Sequence, residues 1–204
     1  LVIAAFTERR SANDVLVGSS LAGLPEGATV ATGSVRRRAQ LSRVRPDLTF
    51  VELRGNIETR LSKVPDGGAV VMARAALEVL GLTHVIADDL DLDVAVPMVG
   101  QGCVAVETRA GDDDVLAVVA TVDHAATRRA VETERAFLAE LGAGCTLPVA
   151  AHLSADGVFR AFMADDRDCV QITGEVGSTE DHMTVGRAAA DSCRRMLEGR
   201  EPRE

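Results

Sequence analysis

The sequence predicts an α/β fold in two parts: a larger part with a parallel sheet and a small C-terminal part with an antiparallel three-stranded sheet. In residues 28–82, short apolar strands alternate with helices, which is typical of βαβ units. After residue 148 three short strands are joined by polar turns, which is typical of a meander. The chain has 204 residues, 47% of them hydrophobic, enough for one large core or two small ones.

The first part begins with two apolar runs, residues 1–6 and 14–17, which predict buried strands joined by a polar loop. Gly33-Ser34 opens a helix that ends before Pro46, because the residue before a proline disfavours helical backbone. The acidic residues 83–97 predict a loop. The remaining elements of this part are strands at residues 28–32, 49–53 and 69–72 and helices at residues 34–44, 57–64 and 75–80.

Further along the chain, residues 103–108 alternate as a strand, and two helices are predicted on either side of a domain boundary near Asp123. These helices lie at residues 112–122 and 125–141. The C-terminal part then contains strands at residues 149–153, 157–163 and 169–175 and a last helix at residues 181–197.

The composition narrows the class of protein. A net charge of −9 and a pI near 5.0 argue against a general nucleic-acid binder, which needs a basic face. No apolar run is long enough to span a bilayer, so we expect no membrane partner. The four cysteines form no CxxC pair and the four histidines show no metal-ligand spacing, which favours a reduced cytoplasmic protein without a bound metal.

Two strand–turn–helix units carry arginines at the turn: TGSVRRR at residues 32–38 and LRGNIETR at residues 53–60. In a parallel sheet such turns lie at the carboxyl ends of the strands, where helix N-termini attract anions. Arginine also suits bidentate binding of carboxylate or phosphate. The pattern predicts a polyanion cleft, although solvent-exposed helix faces would explain the same arginines. The candidate residues are Ser34, Arg36, Arg37, Arg54 and Arg60.

A third stretch, ERAFLAELGAGCTLP at residues 134–148, ends a helix in small residues and then presents Cys145. Glycine ends a helix at little cost, and Pro148 prevents the helix from resuming. A thiol in such a turn is an accessible attachment point once it is ionised. For an isolated cysteine, however, packing is the commoner role.

Together these stretches resemble the hydroxymethylbilane synthase family, also called porphobilinogen deaminase. The strings usual in that family are close to GTSSLRRxxQL, LRGNxxTRLxKL, VGQGxxxxE and ERAFLxxLxGGCxxPV. Here they read ATGSVRRRAQL, LRGNIETRLSKV, VGQGCVAVE and ERAFLAELGAGCTLPV. Their order and spacing also agree, so the resemblance covers nearly the whole chain.

The resemblance implies two doubly wound domains of periplasmic-binding-protein type and a small α/β domain whose cysteine carries a dipyrromethane cofactor. The implied division is residues 1–9 as a remnant of domain 1, 10–98 as domain 2, 99–122 as a return to domain 1, and 123–204 as the cofactor-attachment domain. The implied reaction joins four porphobilinogen molecules head to tail in haem biosynthesis, in a cytoplasmic protein that is a monomer at full length. The implied cofactor contacts are a thioether at Cys145 and carboxylate contacts at Ser34, Arg36, Arg37, Arg54 and Arg60.

Three departures from the family pattern keep a second interpretation open. The string HSxKDxP, which holds the catalytic aspartate of the family, is absent, so we expect no catalytic residue in this segment and no activity from it alone. Val79 stands where the family has a further arginine, and Gly33 replaces a serine. The alternative is a non-catalytic module that holds an anionic ligand, or an inactive truncated homologue.

Overall fold

The computed structural model describes residues 1–142, 147–178 and 180–199. It is a mixed α/β structure with a five-stranded mixed sheet, a three-stranded antiparallel sheet and a two-stranded ribbon. Within the described ranges, no helix combines the length and apolar character needed to cross a membrane.

The ribbon joins distant parts of the chain. Strand β1 (Val2–Phe6) pairs antiparallel with β7 (Ala105–Thr108), and helix α4 (Asp113–Ala120) lies against both strands. Strand β7 is therefore not part of the five-stranded sheet.

The five-stranded sheet has the order β4-β3-β5-β2-β6, in which β3 is parallel to β4 and β5 while β2 runs antiparallel to both its neighbours. The prediction of a wholly parallel sheet was therefore wrong for β2. The sheet neighbours of β2 are β5 and β6, neither of which follows it directly in the chain, so no local connection sets the direction of β2. The strands are β2 (Asp14–Val17), β3 (Thr29–Ala31), β4 (Thr49–Val51), β5 (Ala69–Ala73) and β6 (Ile86–Asp89).

Helices cover both faces of this sheet, because alternate residues of each strand point to opposite sides. Leu16 packs in the cluster that contains Leu41 of α1, whereas Val15 packs in the cluster that contains Leu77 of α3. The helices are α1 (Val35–Val44), α2 (Ile57–Leu61) and α3 (Arg74–Val79), and a 3-10 turn (Thr83–Val85) leads from α3 to β6.

The expected loop at residues 83–97 was wrong over β6. This strand reads IADD, and its residues alternate between half-buried and exposed at the edge of the sheet. An edge strand needs little apolar surface, so its sequence gives a weak signal.

The predicted antiparallel three-stranded sheet is confirmed, with β9 between β8 and β10. Phe137 of α5 meets Phe159 edge to face with 6.3 Å between ring centroids. Helices α5 and α6 cross closely, because a Cβ at Gly186 would lie 2.3 Å from the carbonyl oxygen of Thr133. The elements are α5 (Ala125–Glu140), β8 (Val149–Leu153), β9 (Val158–Ala164), β10 (Cys169–Glu175) and α6 (His182–Glu198).

Candidate anion-binding cleft

Both arginine-rich turns lie at the carboxyl ends of neighbouring parallel strands, β3 and β4. Ser34 caps α1, and its Oγ accepts a hydrogen bond from the amide of Arg37 at 3.4 Å. Asn56 caps α2 by accepting from the amide of Thr59 at 2.9 Å. The two caps fix where each helix begins, and the parallel pairing of β3 with β4 brings the two turns to one edge of the sheet.

The two turns enclose a cavity of about 340 Å³, here called the cleft. Gly33 allows the turns to approach, because a Cβ there would lie 2.8 Å from the carbonyl oxygen of Leu53 and 3.0 Å from Glu52 Oε1. The cleft contains four of the five predicted contact residues on the turns. Its lining residues are Thr32, Gly33, Ser34, Arg37, Glu52, Leu53, Arg54, Arg60 and Val71.

Arg37 is the most firmly held cation of the cleft. Its Nη2 donates to Asp14 Oδ1 at 2.7 Å, and its Nη1 donates to the carbonyl oxygen of Val71 at 3.2 Å. Its Nε is buried and has no hydrogen-bond partner in the part of the chain that the structure describes. A buried donor without a partner is costly, so an incoming acceptor at this position would be stabilised.

Arg54 and Arg60 are held more loosely. The side chain of Arg54 is 87% exposed, and its Nε donates to Glu52 Oε1 at 3.1 Å. Arg60 is half-buried and donates through Nε to the carbonyl oxygen of Gly55 at 2.8 Å. Among the described residues, the Nη atoms of these two arginines have no hydrogen-bond partner. They remain available to a ligand.

Arg36 does not line the cleft. Its guanidinium is buried, donating through Nη2 to Asp14 Oδ2 at 2.8 Å and through Nη1 to the carbonyl oxygen of Val96 at 2.6 Å. These bonds hold the base of α1 against the loop before Gln101. A direct contact between Arg36 and a ligand therefore stays a prediction.

Asp14 is the residue that organises the first turn, and the sequence analysis assigned it no role. Burial raises the pKa of this carboxyl, but the charges of Arg36 and Arg37 outweigh burial and hold the pKa below its ordinary value. Gln101 Nε2 also donates to Asp14 Oδ1 at 2.8 Å. The sequence feature that could have identified this role is an aspartate at the start of the apolar strand DVLV.

A second buried network was also missed, although Glu134 begins the ERAFL motif. Arg9 makes a bidentate ion pair with Glu134 at 2.7 and 2.8 Å, and His152 Nδ1 lies 3.0 Å from Arg9 Nη1. Burial raises the pKa of Glu134, but hydrogen bonds from His152 and Arg9 bring it below its ordinary value. The amides of Gly100 and Leu153 also donate to Glu134, which ties α5 to β8 and to the loop before β7.

The cysteines within the described ranges lie in packed surroundings. Burial raises the pKa of Cys103 and raises that of Cys193 to about 11, which disfavours the thiolate at both. Cys169 is half-buried beside the cluster that contains Phe162. Cys145 lies outside the described residues, so its predicted cofactor bond stays a prediction. Val79 is exposed and does not line the cleft.

Comparison with known proteins identifies two family models along the chain. Residues 1–117 match "Porphobilinogen deaminase, dipyromethane cofactor binding domain". Residues 128–193 match "Porphobilinogen deaminase, C-terminal domain". The cleft lies wholly within the first match, and the ERAFL motif at residues 134–138 lies within the second.

Several curated relatives carry the name porphobilinogen deaminase. The relative from Roseiflexus sp. (strain RS-1) is 45% identical over 199 residues, which cover 94% of this chain and 66% of the relative. The relative from Thermobifida fusca is 47% identical over 173 residues, covering 82% of this chain and 52% of the relative. The chain thus spans about half to two thirds of these relatives. It belongs to the porphobilinogen deaminase family.

Proposed function

We propose that this protein acts as a hydroxymethylbilane synthase, which deaminates four porphobilinogen molecules and joins them head to tail. The observation that carries the proposal is the cleft, where Arg37, Arg54 and Arg60 converge in a chain of the porphobilinogen deaminase family. Porphobilinogen carries an acetate and a propionate group, and its oligomers carry one such pair on each ring. A set of arginines on two fixed turns suits such a polyanion.

The residues of the cleft fit a dipyrromethane group, because the buried Nε of Arg37 lacks an acceptor and the Nη atoms of Arg54 and Arg60 are free within the described chain. These arginines and Ser34 would hold its acetate and propionate groups. When bound, the group supplies a nucleophilic pyrrole carbon and a covalent primer. Arg36 and Asp14 act on the ligand indirectly, since their ion pairs orient Arg37 before any ligand arrives.

Cys145 is our proposed attachment residue. Helix α5 ends at Glu140 and β8 begins at Val149, so Cys145 lies in the connection between two elements that the Glu134 network anchors. The test is peptide mapping of the complete gene product with Cys145→Ser, compared with single changes at Cys103, Cys169 and Cys193. The pyrrole adduct should be lost only from the first variant. An adduct mapped to another cysteine would overturn this assignment.

We also propose the domain division given above and the periplasmic-binding-protein type of domain 2. The pairing of β7 with β1, away from the five-stranded sheet, supports the return segment. Helices on both faces of the mixed sheet support the doubly wound architecture. The expected monomeric state, cytoplasmic location and absence of nucleic-acid partners stay predictions.

A non-catalytic anion-binding module is the second candidate, and the departure from the family pattern at Val79, which lies outside the cleft, keeps it open. An assay of the complete gene product separates the two candidates. Enzyme activity consumes porphobilinogen and leaves a ladder of covalent intermediates in intact-mass spectra. A binding module shows saturable binding of porphobilinogen without its consumption.

A further inference from the structure

A second cavity, of about 400 Å³, lies between the loop after β1, the start of α5 and the β8–β9 hairpin. It shares no lining residue with the cleft. The cavity is therefore not explained by the proposed reaction.

The described lining of the second cavity is rich in cations. It contains Arg9, Arg10 and Arg129, whereas Glu8 is its only acidic residue. The charge of Arg9 is compensated by Glu134, but Arg10 is exposed and has no ion pair with any described residue. Arg129 donates only through Nη2, to the carbonyl oxygen of Gly177 at 2.6 Å. Two guanidinium groups are thus open to an anion.

Two buried side chains of this cavity also keep unused nitrogens. His152 is 5% exposed, and its Nδ1 faces Arg9 and Glu134. In the tautomer whose Nδ1 accepts from Arg9 Nη1, the other ring nitrogen, Nε2, carries the proton, and no residue among 1–142, 147–178 and 180–199 accepts it. Arg9 Nε is buried and equally without a partner in those ranges. Native proteins rarely leave a buried donor such as Arg9 Nε unpaired, which points to an acceptor that binds here.

The start of α5 is a third feature of this cavity that favours an anion. This helix has 16 residues, and its N-cap His124 satisfies the amide of Thr127 through Nδ1. Ala126 in the first turn lines the cavity, and its amide has no partner within the described chain. Free amides and the helix dipole favour negative charge at such an end.

We propose that the second cavity binds a small oxyanion with two negative charges, either a phosphate or a dicarboxylate. Arg10 and Arg129 supply the charge, and His152 with the first turn of α5 supplies directional hydrogen bonds. The loop that carries Arg9 and Arg10 continues into Asp14, which holds Arg36 and Arg37. A bound oxyanion would therefore order the same loop that supports the cleft.

The experiment is an NMR titration of the complete gene product with inorganic phosphate, and separately with succinate. We expect saturable shifts at the amides of Ala126 and Thr127 and at the His152 ring. The double variant Arg10→Gln/Arg129→Gln should weaken binding at this site about tenfold or more, because it removes two charge-assisted contacts. The control Arg109→Gln removes one positive charge from an exposed position outside the cavity and should leave the affinity unchanged.

The outcomes separate the alternatives. Arg54→Gln identifies shifts that come from the cleft, since it should alter those and spare the shifts at Ala126. Response to phosphate but not succinate assigns a phosphate-type ligand, and the reverse assigns a carboxylate. Thermal unfolding checks the fold of each variant, and the single change Arg129→Gln replaces the double variant if the latter is unfolded. Equal affinity in wild type and the folded variant, or shifts confined to the cleft, would overturn the proposal.

Discussion

The two arginine-rich turns of the cleft have similar sequences but hold their guanidinium groups in opposite ways. In the first turn, Arg36 and Arg37 share the fully buried carboxylate of Asp14. In the second, Arg54 is exposed, and its one ion pair within the described ranges is with the exposed Glu52. Buried ion pairs fix geometry strongly once formed, whereas exposed pairs contribute little. The first turn therefore serves as the rigid wall of the cleft, and the second as its adaptable wall.

Removal of the Asp14 carboxylate should have the largest effect on the difference between the two turns, because it makes the first turn less rigid. Asp14→Asn leaves the buried guanidinium of Arg36 and the half-buried one of Arg37 without a counter-charge, and we expect a loss of about 3–5 kcal/mol in the free energy of unfolding. Urea denaturation measures it. Asp93→Asn is the matched control, because it removes the partially exposed ion pair with Arg160 and should cost less than about 1 kcal/mol. Equal losses in both variants would refute the rigid-wall interpretation.

A low pH should destabilise the first turn, which depends on the ionised carboxylate of Asp14. The pKa of Asp14 lies below its ordinary value of 3.8, and that of Glu134 lies below 4.5. A carboxylate with a lowered pKa stabilises the fold above its unfolded-state pKa and loses that contribution as the pH falls through its folded-state pKa. The free energy of unfolding should therefore decline as the pH drops below about 4.5. Denaturation across this range should show a shallower decline in Asp14→Asn.

Arg37→Gln should damage both stability and binding. It removes an ion pair with Asp14 and the buried Nε, which has no partner in the described chain and could donate to a ligand. We expect a loss of about 1.5–3 kcal/mol in the binding of a carboxylate ligand, the usual size for a charge-assisted hydrogen bond. In the complete gene product, elongation should stall with the cofactor still attached, as read from the ladder of covalent intermediates. A normal ladder would argue against a role for Arg37.

Arg54→Gln should sharpen the comparison by separating the two effects. Because the Arg54 side chain is exposed, the free energy of unfolding of the variant should differ from that of the wild type by less than about 0.5 kcal/mol. Ligand binding should still weaken, through loss of a charge-assisted contact. Parallel denaturation and porphobilinogen titration of Arg54→Gln and Arg37→Gln test this. A large stability loss in Arg54→Gln would contradict the adaptable-wall interpretation.

The smallest effect is expected at Glu52. Its carboxylate competes with a ligand for Arg54, so Glu52→Gln should increase the affinity for porphobilinogen by a few-fold, within the 0–1 kcal/mol typical of exposed pairs. Isothermal titration at low and moderate salt measures the change, and added salt should reduce it. Glu58→Gln, on the exposed side of α2, controls for the loss of one negative charge.

Local signals predicted most of the fold. The caps and proline stop of α1 and the alternation in β9 and β10 are properties of neighbouring residues, so sequence alone located these elements. The direction of β2 was not predictable in the same way, because strand direction depends on which strand becomes its neighbour. Strand β6 was not predicted, because the sequence of an edge strand carries little apolar pattern.

The sequence predicted which residues form the candidate site, but not how deeply each of them is buried. The positions of Arg37, Arg54 and Arg60 at one edge of the sheet follow from two similar turns on adjacent strands. The burial of Arg36 could not be predicted, since it depends on Asp14 from β2 and on the carbonyl of Val96, 60 residues away. The same holds for Arg9 and Glu134, which are 125 residues apart in the chain.

Gly33 bears on how this protein can diverge from its relatives. The first turn touches the Leu53 carbonyl so closely that a side chain at Gly33 needs a backbone shift in the second turn. Gly33→Ser, which would restore the residue usual in the family, is therefore not a neutral reversion here. It would widen the gap between Arg37 and Arg54 unless the second turn had already changed. The order of substitutions is thus constrained, and the two turns are expected to evolve as one unit.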